Sequence, residues 1–188
     1  MGVRDWVVGG AVIEAAAVDT ADGPGEPTDD AAGTRDAAAP GAVLLVENRR
    51  RNGSSDWTPP GGVIDDGESV LDGLACEVVE ETGLAVSRWQ GLLYEIRAEA
   101  PGLGWNLRVE VHRAARAAGG LDVGADPDGI VVGSAWADGP GCVILLGDAH
   151  PWVREPLLEW MTHRWTEPRE FHYRVLGTAL DELTVERC

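Results

Sequence analysis

GVIDDGESVLDGLACEVVEETGL, residues 62 to 84, decides how this chain is read. Its second half has the marks of a helix over Ser69 to Thr82. Ser69 supplies an N-cap oxygen and Gly83 a residue that tolerates the left-handed turn ending a helix. Leu71, Leu74, Ala75 and Val78 make an apolar stripe at helical spacing. Glu77, Glu80 and Glu81 stand at i, i+3 and i+4, which brings their Cβ atoms within about 5–6 Å on one face. Three like charges so crowded are destabilising unless a cation joins them. The nearest downstream basic residue, Arg88, lies beyond the helix end. A hard divalent cation with oxygen ligands, Mg²⁺ or Mn²⁺, suits such a cluster, so Glu77, Glu80 and Glu81 are the expected metal ligands. Glu68 adds a fourth carboxylate just before the helix. Gly61 and Gly62 allow the preceding backbone to bend back and approach the helix closely. An isolated Glu-x-x-Glu-Glu would be ordinary solvated surface; the glycine-led loop at this spacing is what sets the segment apart.

Working outward, Trp6 to Ala17 is rich in Val, Ile and small residues and reads as a first strand. Residues 19 to 41 shift to Asp, Gly, Pro, Thr and Ala, a linker composition that predicts a long mobile loop within the domain. Ala42 to Glu47 is a fully apolar second strand, followed by a basic and polar turn over Asn48 to Ser55. Trp57-Thr-Pro-Pro-Gly-Gly is irregular, because prolines and glycines interrupt a ladder. Beyond the helix, strand-like runs occupy roughly 86 to 98, 105 to 116 and 130 to 137, with a turn at 126 to 129. Residues 152 to 165 predict a second helix, in which Pro156 belongs near the first turn. The tail from Arg169 predicts one more strand and a short terminal segment. The expectation is one domain over 1–188 of α+β class, a mixed sheet between helices, with a helix-strand extension at 151–188.

Composition narrows the function. With 188 residues, 44% hydrophobic and 25% charged, the chain is a soluble globular domain. A net charge of −17 argues against a long nucleic-acid partner, which needs a basic patch, but admits a small anion brought in with a metal. The apolar start is too short to span a bilayer and is interrupted by Glu14, and it lacks the basic lead-in of a secretory signal, so no membrane partner is expected. The three cysteines, Cys76, Cys142 and Cys188, are odd in number and widely spaced, which points to reduced thiols and a cytoplasmic setting.

Residues 62 to 84 resemble the Nudix hydrolase family. The family pattern runs Gly, five residues, Glu, seven residues, then Arg-Glu-apolar-any-Glu-Glu-any-Gly-apolar. Gly62, Glu68, Glu77, Val78, Glu80, Glu81, Gly83 and Leu84 fall on it, and the preceding WTPPGG is common in the family. The resemblance implies an α/β/α sandwich and Mg²⁺-dependent cleavage of a nucleoside diphosphate linked to another moiety. That moiety is either a sugar, as in ADP-ribose or a nucleotide sugar, or the remainder of a modified nucleoside triphosphate. It implies Glu77, Glu80 and Glu81 as catalytic and metal-binding residues. The substrate-binding residues expected from this segment and its neighbours are Arg51, Trp57, Gly61 and Gly62. Arg49 and Arg50 flank Arg51 as further phosphate grips, and Trp105 joins Trp57 as a stacking surface in a loop near the site. Glu110, Asp126 and Asp128 are candidates for the general base, although each equally suits a structural place on a strand or in a turn. Pro101-Gly102 matches a dipeptide that follows the box in family members acting on sugar-linked diphosphates. Many members are dimers, so a homodimer is left open. One position departs: Cys76 replaces the family's arginine, and a thiol cannot hold glutamates by a charge-assisted bond. Cys76 is expected to be a small, partly buried packing residue. The alternative function that it raises is a catalytically weakened nucleotide-binding or regulatory module.

Overall fold

The computed structural model describes residues 2–19, 38–50, 53–123, 129–178 and 182–188. Most of the linker at 19 to 41, Arg51, and the aspartates Asp126 and Asp128 therefore lie outside the described residues. Among the described residues, nine strands and three α-helices run in the order β1 (Arg4–Val12), a 3-10 turn (Ala15–Ala17), β2 (Val18–Asp19), β3 (Val43–Arg49), β4 (Ser55–Thr58), α1 (Val70–Thr82), β5 (Ala85–Ala100), β6 (Trp105–Ala118), β7 (Val131–Ala137), α2 (Gly139–Leu145), α3 (Pro151–His163), β8 (Arg169–Leu176) and β9 (Thr184–Arg187).

The larger sheet has the order β1-β6-β5-β8-β9, with β2 also pairing β6. It is mixed: β1 and β6 are parallel, β5 and β6 antiparallel, β5 and β8 parallel. The smaller sheet has the order β4-β3-β7. Period-two alternation along the strands sends side chains to opposite faces, and a helix covers each face of the larger sheet. On one face Leu74 and Val78 of α1 pack with Ala11, Ile13, Leu44, Ala114 and Ala117. On the other, Trp152, Leu157 and Trp160 of α3 pack with Tyr94, Ile96, Ala98, Phe171 and Tyr173. The expected α+β sandwich is thus the observed one. Because β8 pairs with β5 and α3 contributes to the larger core, the stretch after residue 150 is built into the fold.

Several expectations are corrected. The first strand stops at Val12, and residues 15–17 turn in a 3-10 helix, so the apolar Ala-rich stretch is not all strand. Ser55–Thr58 forms a short strand paired with β3, ending where Pro59 can no longer donate to the ladder. Residues 139–145 form a helix that Asp138 caps through Gly141 N–H. In α3 Pro156 lies inside the helix rather than in its first turn, which belongs to Pro151. Its ring is buried, so packing offsets the backbone bond it cannot make.

Candidate active site

Helix α1 is fixed at both ends as its sequence predicts. Ser69 Oγ accepts from Asp72 N–H at 3.2 Å and donates to Asp72 Oδ2 at 2.6 Å. Gly83 adopts φ +74° and returns its N–H to Val79 O at 2.8 Å. The apolar stripe is narrower than expected. Leu74 and Val78 are fully buried, but Leu71 is 37% exposed.

The larger correction concerns the glutamates, which are not displayed together. Glu80 is exposed, Glu77 is half-buried, and Glu81 is buried, 8% exposed. The reason is geometric: Leu74, Val78 and Glu81 stand at i, i+4 and i+7, so Glu81 ends the apolar stripe itself. A carboxylate in that place needs a donor, and the Gly61 backbone supplies it, donating its N–H to Glu81 Oε2 at 2.7 Å.

Both glycines are required by contact. Residues 60 to 64 run beside β1 through Ala11 N–H to Pro60 O (2.8 Å), Gly9 N–H to Gly62 O (2.9 Å) and Ile64 N–H to Val7 O (2.9 Å). Gly61 has φ +145°, and a Cβ there would lie 2.1 Å from Gly9 O. A Cβ on Gly62 would lie 2.4–2.6 Å from all three carboxyl atoms of Glu77. Glu77 and Glu81, one helical turn apart, thus both meet the Gly61–Gly62 turn. Glu68 lies one turn earlier: its Oε2 would lie 2.7 Å from a Cβ on Gly73, which stands at i−4 to Glu77.

Among the described residues, no group of three or more His, Cys, Asp or Glu side chains is gathered at metal-holding geometry. The donor set nonetheless fits a hard divalent cation: it is all oxygen, two of its carboxylates meet one glycine turn, and the third is exposed within one turn of them. The last turn of the helix itself carries no basic residue.

The other expected site residues divide. Cys76 is exposed, not packed. Arg50 is committed to Asp56, with Nε and Nη2 at 3.0 and 2.5 Å from Oδ2. Trp57 and Trp105 lie in strands rather than loops, both half-buried against the larger core, and Trp105 meets Trp152 edge-on at 6.3 Å. Glu110 lies within β6, 2.7 Å from Arg108 Nη2 and 3.1 Å from His112 Nε2. Pro101-Gly102 makes the β5–β6 turn, where a Cβ on Gly102 would meet Gly177 O at 2.2 Å. The alternation in Arg108-Val-Glu-Val-His112 is the signal that would have revealed Arg108 and His112 as partners of Glu110.

The sequence model of the NUDIX domain matches residues 29–128. No curated protein matches the chain. Among solved structures, the Escherichia coli ORF135 protein superposes with a TM-score of 0.60 at 17% identity, covering 88% of this chain and 96% of that one. The MutT protein from Bacillus halodurans gives 0.57 at 18% identity, covering 97% of each chain. A NUDIX hydrolase from Nitrosomonas europaea gives 0.57 at 19% identity, covering 85% of this chain and 90% of that one. At these identities the superpositions show a shared fold.

Proposed function

The chain belongs to the NUDIX family of pyrophosphohydrolases, and on that premise we propose that it cleaves the diphosphate of a nucleoside diphosphate linked to another group, using a divalent metal, Mg²⁺ or Mn²⁺. The observation that carries the reading is the meeting of Glu77 and Glu81 at the Gly61–Gly62 turn. Glu77, Glu80 and Glu81 would hold the metal. When bound, it would neutralise phosphate charge and lower the pKa of an attacking water.

The chain's own residues do the positioning. The Gly61 N–H holds Glu81 by one oxygen, and the missing side chain at Gly62 leaves the space that Glu77 occupies. Ile64 and Gly62 fasten this turn to β1, so the helix carboxylates rest against a turn held by the sheet rather than a free loop. Backbone thereby supports Glu81 where position 76 offers no guanidinium, which favours a working enzyme over a weakened binding module. The fold is a small-molecule one in charge: at −17 it opposes long nucleic acid. Among the described residues no helix is long and apolar enough to cross a membrane. The three thiols are unpaired, which supports a reducing cytoplasmic setting.

The test is phosphate release with Mg²⁺ or Mn²⁺ over a panel of ADP-ribose, nucleotide sugars and oxidised nucleoside triphosphates. Turnover that Glu81→Gln removes is the expected result. No turnover by the folded chain, nor by Cys76→Arg, on any member of the panel would sink the hydrolase reading.

A further inference from the structure

Where β5 begins and β6 ends, the ladder between them is irregular. Ser87 and Gln90 on β5 and Ala115 on β6 are each left unmatched across the pair, so three register shifts fall between Val86 and Gly91. Such bulges bend a strand and re-aim its side chains, and they are common beside ligand sites. Here Gln90 and Ala115, with Arg88, Trp89, Arg113 and Glu14, line a cavity of about 540 Å³, a size that holds a small ligand. The place is separate from the box. Gly62 meets β1 at Gly9, whose partner on β6 is Glu110, and Arg113 to Ala115 lie three to five residues beyond it, about 10–17 Å along the strand.

In a chain of net charge −17, cations border this cavity. Arg88 shares a rung of the ladder with Arg116, which is unfavourable for like charges. Asp19 pairs with Arg116 and relieves that side of the rung. Arg88 is exposed and has no ion-pair partner among the described residues. Arg113 gives Nε and Nη2 to Glu14 Oε2, and its Nη1 stays outside that fork. Among the described residues Glu14 is the one carboxylate lining the cavity, and it is already spoken for: its Oε1 accepts from Arg164 Nη1 at 2.7 Å. The Trp160 ring, 5.4 Å from the guanidinium carbon, supports Arg113 from α3. Arg113 is thus held in place by Glu14 and Trp160. Three guanidiniums, Arg88, Arg113 and Arg164, stand about one carboxylate, which leaves two positive charges without a counterpart.

We propose that this cavity is a ligand site apart from the box, which takes the phosphate group of a small phosphorylated molecule on Arg88 and Arg113. Two unmatched positive charges fit a phosphate dianion, and guanidinium forks donate paired hydrogens to its oxygens. A monocarboxylate would leave one of those charges unmet. The exposed Gln90 amide adds a further donor. The cavity is larger than a bare phosphate, so an organic body fits beside the anion, against the half-buried Trp89. The shared chemistry is the dianion, whether free or carried on such a body. The site stands independently of the hydrolase reading, since no box residue lines it.

The experiment is an amide NMR titration of the full chain in EDTA, with inorganic phosphate and AMP as probes and sodium chloride at equal ionic strength as the control. Wild type is expected to show saturable shifts at the Gln90 and Ala115 amides. Arg88→Ala should weaken that binding at least tenfold, the loss of a charge-assisted contact. Arg88→Lys keeps the charge and should lose no more than a few-fold, and Glu81→Gln should leave the shifts as they are. Arg88 is exposed, and the rest of each spectrum reports that the variants stay folded. Equal affinity for both probes assigns the site to the phosphate group alone; tighter AMP assigns it to a phosphorylated organic molecule. The proposal is overturned by the absence of saturable shifts with either probe, or by shifts that sodium chloride reproduces. Shifts confined to Gly61 and Gly62, binding undiminished in Arg88→Ala, or a lysine variant as weak as the alanine one would overturn it equally. Failure of the hydrolase reading is seen separately, as absence of Mg²⁺-dependent turnover.

Discussion

The chain crowds carboxylates in two places and settles each differently. On α1 the box glutamates are held by backbone: Glu81 takes the Gly61 N–H, and Glu77 fills space that only glycine leaves at position 62. On the sheet Glu95 and Glu110 are held by side chains, the arginines Arg97 and Arg108. The difference shows what each cluster is fitted for. Backbone contact positions the helix carboxylates that would take a metal. Arginine support ties the sheet carboxylates to guanidiniums of neighbouring strands.

Removing a carboxylate from the first cluster should have the largest effect. Glu81→Gln is expected to lower Mg²⁺-dependent kcat by on the order of 100-fold or more, because it removes a metal donor. A rate within a few-fold of wild type would show that other carboxylates hold the metal. Gly62→Ala attacks the same cluster through space alone. Its Cβ collides with the Glu77 carboxyl, and a loss of about 10–100-fold in activity is expected; a structure of the variant with Glu77 unmoved and full activity would count against the contact.

The second cluster should respond in stability, not in turnover. Glu110→Ala leaves Arg108 and His112 short of a partner and should cost about 1–3 kcal/mol in urea denaturation. Its kcat should stay close to wild type, and a hundredfold fall would restore Glu110 as the general base.

Thiol chemistry supplies a smaller contrast. Burial, with Asp138 nearby, pushes the Cys142 thiol up to about 11, whereas Cys76 is exposed. Because the folded state keeps this proton longer than the unfolded chain, Cys142 contributes stability that is whole below about pH 9 and lost as pH rises through about 11. Cys142→Ala should flatten that alkaline decline, read from melting temperature against pH. In the native protein a thiol reagent should label Cys76 well before Cys142. The smallest change is expected from Cys76→Arg, a gain of no more than a few-fold in kcat, since Gly61 already supports Glu81. A gain of a hundredfold would mean that backbone support is inadequate without the arginine.

Much of this was legible in the chain. The period of Leu74 and Val78, the cap at Ser69 and the stop at Gly83 are local signals, and α1 follows them to within a residue. The spacing of Gly62, Glu68, Glu77, Glu80 and Glu81 identified the box. The same period misjudged Glu81, because apolarity was read from residue type while position i+7 from Leu74 placed it inward. The neighbouring prolines and glycines of Trp57 read as loop, whereas pairing with β3 makes a strand of that segment; Trp105 heads the strand-like run expected at 105 to 116, paired with β1 and β5.

By itself the sequence determined the helix, its ends and the inventory of carboxylates, since helix period, capping and motif spacing act over a few residues. Tertiary structure alone decided which carboxylate is buried, which backbone N–H reaches it across 20 residues, and which charges share a rung. Those depend on strand register and on the approach of distant backbone, and a one-residue slip in either would have turned the same side chains to the opposite face.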